Sequence, residues 1–138
     1  MTMAERLFTL KEVEQLIPRL EQIVSTLMEN KRQAMEIGQD LARIQELVKQ
    51  GNEKQVKASD LQNKQTELEF LVRVINDGLD AIEDMGGQPK DLDTGLVDFP
   101  AEIDGEEALL CWQFGEKSIR FYHGLREGFA GRKPLMRG

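Results

Sequence analysis

Two runs of apolar residues spaced alternately three and four apart dominate this chain, and that spacing belongs to helices packed along a shared seam. The first passes through Val13, Leu16, Leu20, Ile23, Leu27, Asn30, Ala34, Ile37, Leu41, Ile44 and Val48. The second passes through Ala58, Leu61, Gln65, Leu68, Val72, Ile75, Leu79 and Ile82. Thr9-Leu10-Lys11-Glu12 has capping-box spacing, so a helix is expected from Leu10. Pro18 lacks an N–H and crowds the preceding turn, which predicts a kink, or a short helix followed by a long one from near Pro18. Gly51-Asn52 separates the seams, Glu53 to Ser59 forms a polar tip, and Gly86-Gly87 with Pro89 just beyond stops the second helix.

Helices of comparable length joined by a short tip fold back on each other, so residues 1–87 are expected to form an antiparallel, coiled-coil-like helical hairpin. Ile17, Val24, Met28, Met35, Leu47, Phe70, Leu71 and Val74 widen the apolar stripe beyond what two helices cover. A homodimer through the helical arms, or packing on the C-terminal third, follows, with Asn30 and Gln65 able to set register.

From residue 88 the period changes to that of strands. Leu96 to Ile103, the turn Asp104-Gly105, Glu106 to Phe114, a second turn at Gly115-Glu116-Lys117, and Ser118 to His123 read as a three-stranded antiparallel β-meander. Residues 88–138 thus form a small cap whose end, from Gly124, is an irregular tail or a short helical turn. The fold class is α+β. Three strands alone are marginal, so one face of the sheet should rest on the helices.

Composition narrows the function. With 25 acidic against 18 basic residues, the net charge of -7 opposes a phosphate backbone, so no nucleic-acid partner is expected. A single cysteine, Cys111, fits a reducing cytoplasm. The N-terminal residues carry no basic stretch ahead of an apolar run, and no segment approaches the length of a membrane span, so a soluble, unprocessed chain with no membrane partner is expected.

Chemically distinctive side chains gather in the last third. Asp91, Asp93 and Asp98 with Glu116 and His123 are ligand types for a divalent ion. The spacing matches no EF-hand, and Asp91 and Asp93 equally suit a turn that binds its own backbone N–H groups. We therefore expect no metal and no cofactor, with Asp91, Asp93 and His123 as the ligands should an ion bind. Cys111, inside Leu109-Leu110-Cys111-Trp112, reads as a small buried hydrophobe rather than a nucleophile. Arg132, after the glycines of Gly128-Phe129-Ala130-Gly131, offers a planar fork to an anion or pairs with a nearby acid. The common catalytic and nucleotide-binding signatures are absent, which weighs against an enzyme. An interaction or adaptor module with an unknown protein partner is the leading reading. The alternative is a small-ligand or metal-binding, even hydrolytic, pocket in the C-terminal block, lined by Asp93, Asp98, Glu116, His123 and Arg132.

A helical hairpin with a small β cap is also the layout of transcription factors that insert a coiled coil into the RNA polymerase secondary channel. Those act through paired acids at the tip. Here the tip, Lys49 to Lys57, has one acid among three lysines, and charge rules that function out.

FTLKEVEQLIPRL at Phe8 to Leu20, KDLDTGLVDFP at Lys90 to Pro100, CWQFGE at Cys111 to Glu116 and YHGLREGFAGRKPL at Tyr122 to Leu135 together resemble an uncharacterised bacterial family, a domain of unknown function. The resemblance spans nearly the whole chain. In such relatives the position of Tyr122 is often a tryptophan, which leaves its aromatic role intact. It implies the architecture above and adds no mechanism.

Overall fold

The structure is a computed structural model and describes residues 6–135. Helix α1 spans Leu10–Lys49 and begins with the expected capping box: Thr9 Oγ1 accepts from the Glu12 amide at 3.1 Å, and the Glu12 carboxylate accepts from the Thr9 amide at 2.9 Å. The helix continues through Pro18, which corrects the expected alternative of a short helix followed by a separate long one. Pro18 lies on the exposed side, while Val13, Ile17 and Leu20 on the opposite side are buried. The ring therefore costs one helix hydrogen bond without displacing a packed side chain, and burial of the apolar stripe carries the helix across it.

A short turn at Glu53–Gln55 leads into helix α2, Ala58–Asp84. The two helices run antiparallel. Lys64 pairs with Asp40 at 3.0 Å, and Gly78 faces Leu27 so closely that a Cβ there would lie 2.6 Å from Leu27 Cδ2. Gly86, at φ +95, ends α2 with paired bonds from the Gly86 amide to the Glu83 carbonyl and from the Gly87 amide to the Ile82 carbonyl, at 2.9 and 3.0 Å.

Five antiparallel strands follow in sequence order: β1 Gln88–Asp91, β2 Leu96–Ile103, β3 Glu106–Gln113, β4 Phe121–Gly124 and β5 Lys133–Pro134. The α+β fold stands, and the expected count of three strands is corrected to five. β1 and β5 are too short, and each too rich in proline, to carry an alternating pattern. The third strand starts at Phe121 rather than Ser118 because Ile119 points into the core and its amide donates to Glu14 Oε2 of α1 at 2.9 Å. Residues 136–138 of the expected tail lie outside the described residues.

Alternation along β2 and β3 sends Val97, Phe99, Ala101, Leu110 and Trp112 to one face, where they pack with Phe8, Val13, Ile17, Leu20, Val24, Leu27 and Ile82 into a single core. Trp112 is fully buried, and its indole N–H donates to the Glu116 carbonyl at 2.9 Å. Among the described residues no helix is long and apolar enough to cross a membrane.

Candidate functional site

Both neighbours of β3 bear on the second face of the sheet. Asp104 and Gly105, at φ 53 and 81, close a two-residue hairpin in which Ile103 pairs with Glu106, and that register sets Asp98 directly across from Cys111. On the far side of β3, Cys111 pairs with Phe121 and Leu109 with His123. Leu96, Asp98, Leu109, Cys111 and His123 therefore share the face that points away from the helices. They line a cavity of about 260 Å³ with Leu125 and Phe129.

The cover over this face is the segment after His123. Its glycines let it wrap one side chain: Glu127 Oε1 accepts from the Gly124 amide at 2.8 Å and from Lys133 Nζ at 3.0 Å, and a Cβ on Gly131 would lie 2.8 Å from Glu127 Cβ. These bonds hold the Glu127 carboxyl below the usual carboxylate range, the Gly124 amide contributing most.

Asp98 and His123 are 2 and 3 % exposed, and His123 Nε2 lies 2.9 Å from Asp98 Oδ2. The other ring nitrogen, Nδ1, is 3.0 Å from the Gly124 carbonyl. A carbonyl oxygen only accepts, so Nδ1 carries the proton of that bond, and Nε2 and Asp98 share the proton between them. Burial pushes the Asp98 carboxyl up, against the opposing pull of His123. The Cys111 sulfur lies within 4.8 Å of the carboxylate and imidazole atoms of this pair. Burial raises the thiol pKa to about 11, with the Asp98 charge adding to the shift and Arg132 opposing it, so the sulfur is a thiol rather than a nucleophilic thiolate at neutral pH.

The remaining candidates divide. Glu116 and Arg132 pair with each other at 2.7 Å, and the Arg132 guanidinium lies over Phe121 and Phe129, 4.1 and 5.0 Å from their ring centroids. Arg132 Nε is buried with no hydrogen-bond partner, the one such side-chain atom among the described residues. Glu116 also accepts from the Gln113 amide at 2.7 Å, pinning the β3–β4 turn. Asp91 accepts from the Asp93 amide at 2.8 Å as a turn-former and borders the cavity. Asp93 is exposed and pairs with Lys31 of α1 at 2.7 Å, turned away from the cavity that Asp98 and His123 line. Sequence reasoning missed Cys111 as a member of the cluster. The two-residue turn held the signal, because pairing Ile103 with Glu106 already sets Cys111 opposite Asp98.

A family model described as Uncharacterized conserved protein (DUF2203) matches residues 6–135, which takes in every element above. No curated protein and no solved structure matches the chain.

Proposed function

For a chain that belongs to the DUF2203 family of uncharacterised conserved proteins, we propose small-ligand binding in the cavity on the helix-free face of the sheet. The observation that carries the reading is a buried Asp98–His123 pair lining a cavity with Leu96, Leu109, Leu125 and Phe129, to which Lys90, Asp91 and Glu127 add charged groups. Pockets for small molecules combine apolar walls with a few convergent polar groups, and about 300 Å³ is the lower end of their range, so the occupant is a compact metabolite. Binding is preferred to covalent catalysis through Cys111 because the thiol beside the pair is held protonated, and a nucleophilic step needs an activated nucleophile. A buried free thiol suits a reducing compartment, which makes the cytoplasm the proposed location.

Amide chemical-shift mapping with acetate, glycine, inorganic phosphate and imidazole as probes tests the reading. At least one probe is expected to move the Cys111, Gly124 and Phe129 amides, and Leu109→Trp, which fills the cavity, abolishes the shifts. Silence from every probe, or shifts that survive Leu109→Trp, overturns it.

Self-association or docking of a protein partner through the helical arms is a separate reading. It is supported by Met35, Val48, Phe70 and Val72, which stand 57, 49, 58 and 48 % exposed on the two helices. Light scattering over a hundredfold dilution is expected to show a dimer that dissociates on dilution, and a monomer throughout removes the self-association arm of this reading.

A further inference from the structure

We propose that Asp98, Cys111 and His123 form a binding site for a zinc-type divalent ion, with one coordination position open to the cavity. The inference rests on the pocket reading for that open position, and it names the chemistry of the pocket lining. The oxygen, sulfur and nitrogen atoms these residues offer all lie within 4.8 Å of one another, and no other such group of three occurs among the described residues. An ion bonded tetrahedrally to these donors holds them about 3.3–3.6 Å apart, so atoms now within 4.8 Å of one another close by up to about 1 Å, while the Asp98–His123 pair at 2.9 Å opens slightly.

The donor set selects the metal. Magnesium and calcium take oxygen ligands, whereas a thiolate, an imidazole and a carboxylate together suit zinc and its neighbours. The imidazole is already held as a zinc ligand would be, with Nδ1–H donating to the Gly124 carbonyl and Nε2 directed at Asp98. The three residues come from three adjacent strands, β2, β3 and β4, whose register fixes them before any ion arrives.

Charge balance favours the same ion. Without metal the cluster is neutral: a thiol, and a carboxyl and imidazole sharing a proton. A dication that displaces the thiol proton and the shared proton leaves a thiolate, a carboxylate and a neutral imidazole around a charge of two. The site stays neutral, so no net charge is buried by the exchange. The fallback ligands read from the sequence were Asp91 and Asp93 with His123. Of these only His123 is in the cluster, because the two aspartates serve the turn and Lys31.

The test strips the whole chain with a chelator and adds cobalt(II) alone as a spectroscopic probe, then zinc. One equivalent is expected to give the absorption of a tetrahedral ion with a thiolate-to-metal charge-transfer band, which zinc then displaces. Cys111→Ser, close to isosteric, should lose that band and weaken zinc binding at least about tenfold, as should Asp98→Asn and His123→Ala. The wild-type band by itself reports sulfur ligation, so the outcome does not depend on how the variants fold. No uptake by the folded wild type, a cobalt spectrum without the sulfur band, or a band that persists in Cys111→Ser overturns the proposal. If cobalt fails while the probe-induced shifts at Gly124 and Phe129 remain, the metal is wrong and the pocket reading survives. If both fail, the pocket reading falls with it.

Discussion

The two faces of the sheet are buried to the same degree and made of different chemistry. Toward the helices stand Val97, Phe99, Ala101, Leu110 and Trp112, none more than 2 % exposed. Away from them stand Leu96, Asp98, Leu109, Cys111 and His123, none more than 9 % exposed. The first set is what folding asks for, since each apolar side chain taken from water stabilises the native state. The second gives buried positions to a carboxyl, a thiol and an imidazole, groups that gain little for the fold even when fully bonded. Its cover differs as well. Two long helices seal the first face, whereas the second lies under a short segment whose Leu125 and Phe129 are 50 and 49 % exposed. Burial alone therefore does not mark a core: the helix-facing side is structural, and the other side has the composition of a site.

Truncating the structural face should hurt most. Trp112→Ala is expected to cost about 3–5 kcal/mol in urea unfolding, the range for removing a large buried aromatic. A loss below about 1 kcal/mol would show that the helix-facing side is not the stabilising one. On the other face, with chelator present, His123→Ala leaves Asp98 buried without its main partner, and about 1–3 kcal/mol of stability should go with it.

Replacing both members together separates folding from function. Asp98→Val with His123→Phe removes the polar pair without orphaning either group, so stability by the same assay should stay within about 1 kcal/mol of the wild type or rise. A double variant as unstable as Trp112→Ala would make the pair a folding element and erase the contrast between the faces.

The mildest effect is expected in the cover. Glu127 has a depressed folded-state pKa, so its contribution is fully present above the ordinary carboxylate range and is lost as pH falls through the lower folded value. Glu127→Gln should speed amide exchange at Gly124 and Gly131 near neutral pH while leaving global unfolding unchanged. Exchange at these amides that ignores both the substitution and acidification would mean the cover is held by something other than Glu127.

Much of the scaffold was legible because its signals are local. Thr9 and Glu12 announce the start of α1, Gly86-Gly87 the end of α2, and Asp104-Gly105 the central hairpin, each through backbone chemistry carried by a few neighbouring residues. The rim strands were not, because β1 and β5 owe their pairing to longer strands already in place rather than to a pattern of their own. At the site, Asp98, Glu116, His123 and Arg132 were singled out by residue type, and the structure sorts them into two pairs, Asp98 with His123 and Glu116 with Arg132. Cys111 escaped because a cysteine between leucine and tryptophan has the sequence surroundings of a core residue. Only its cross-strand neighbour distinguishes it, and that neighbour is 13 positions away in the chain, at Asp98.

The turn at Asp104-Gly105 has a consequence for how such a chain can diverge. Both residues are exposed, and loops at the surface usually accept insertions and deletions without harm. This one should not, because a single added residue would slip β2 against β3 and set Asp98 opposite a residue of the wrong face. The helical tip around Gly51 to Lys57, mostly exposed as well, sets no such alignment and is free to lengthen. Across descendants of this sequence, the small outer turn is therefore the fixed length and the tip of the long arm the variable one.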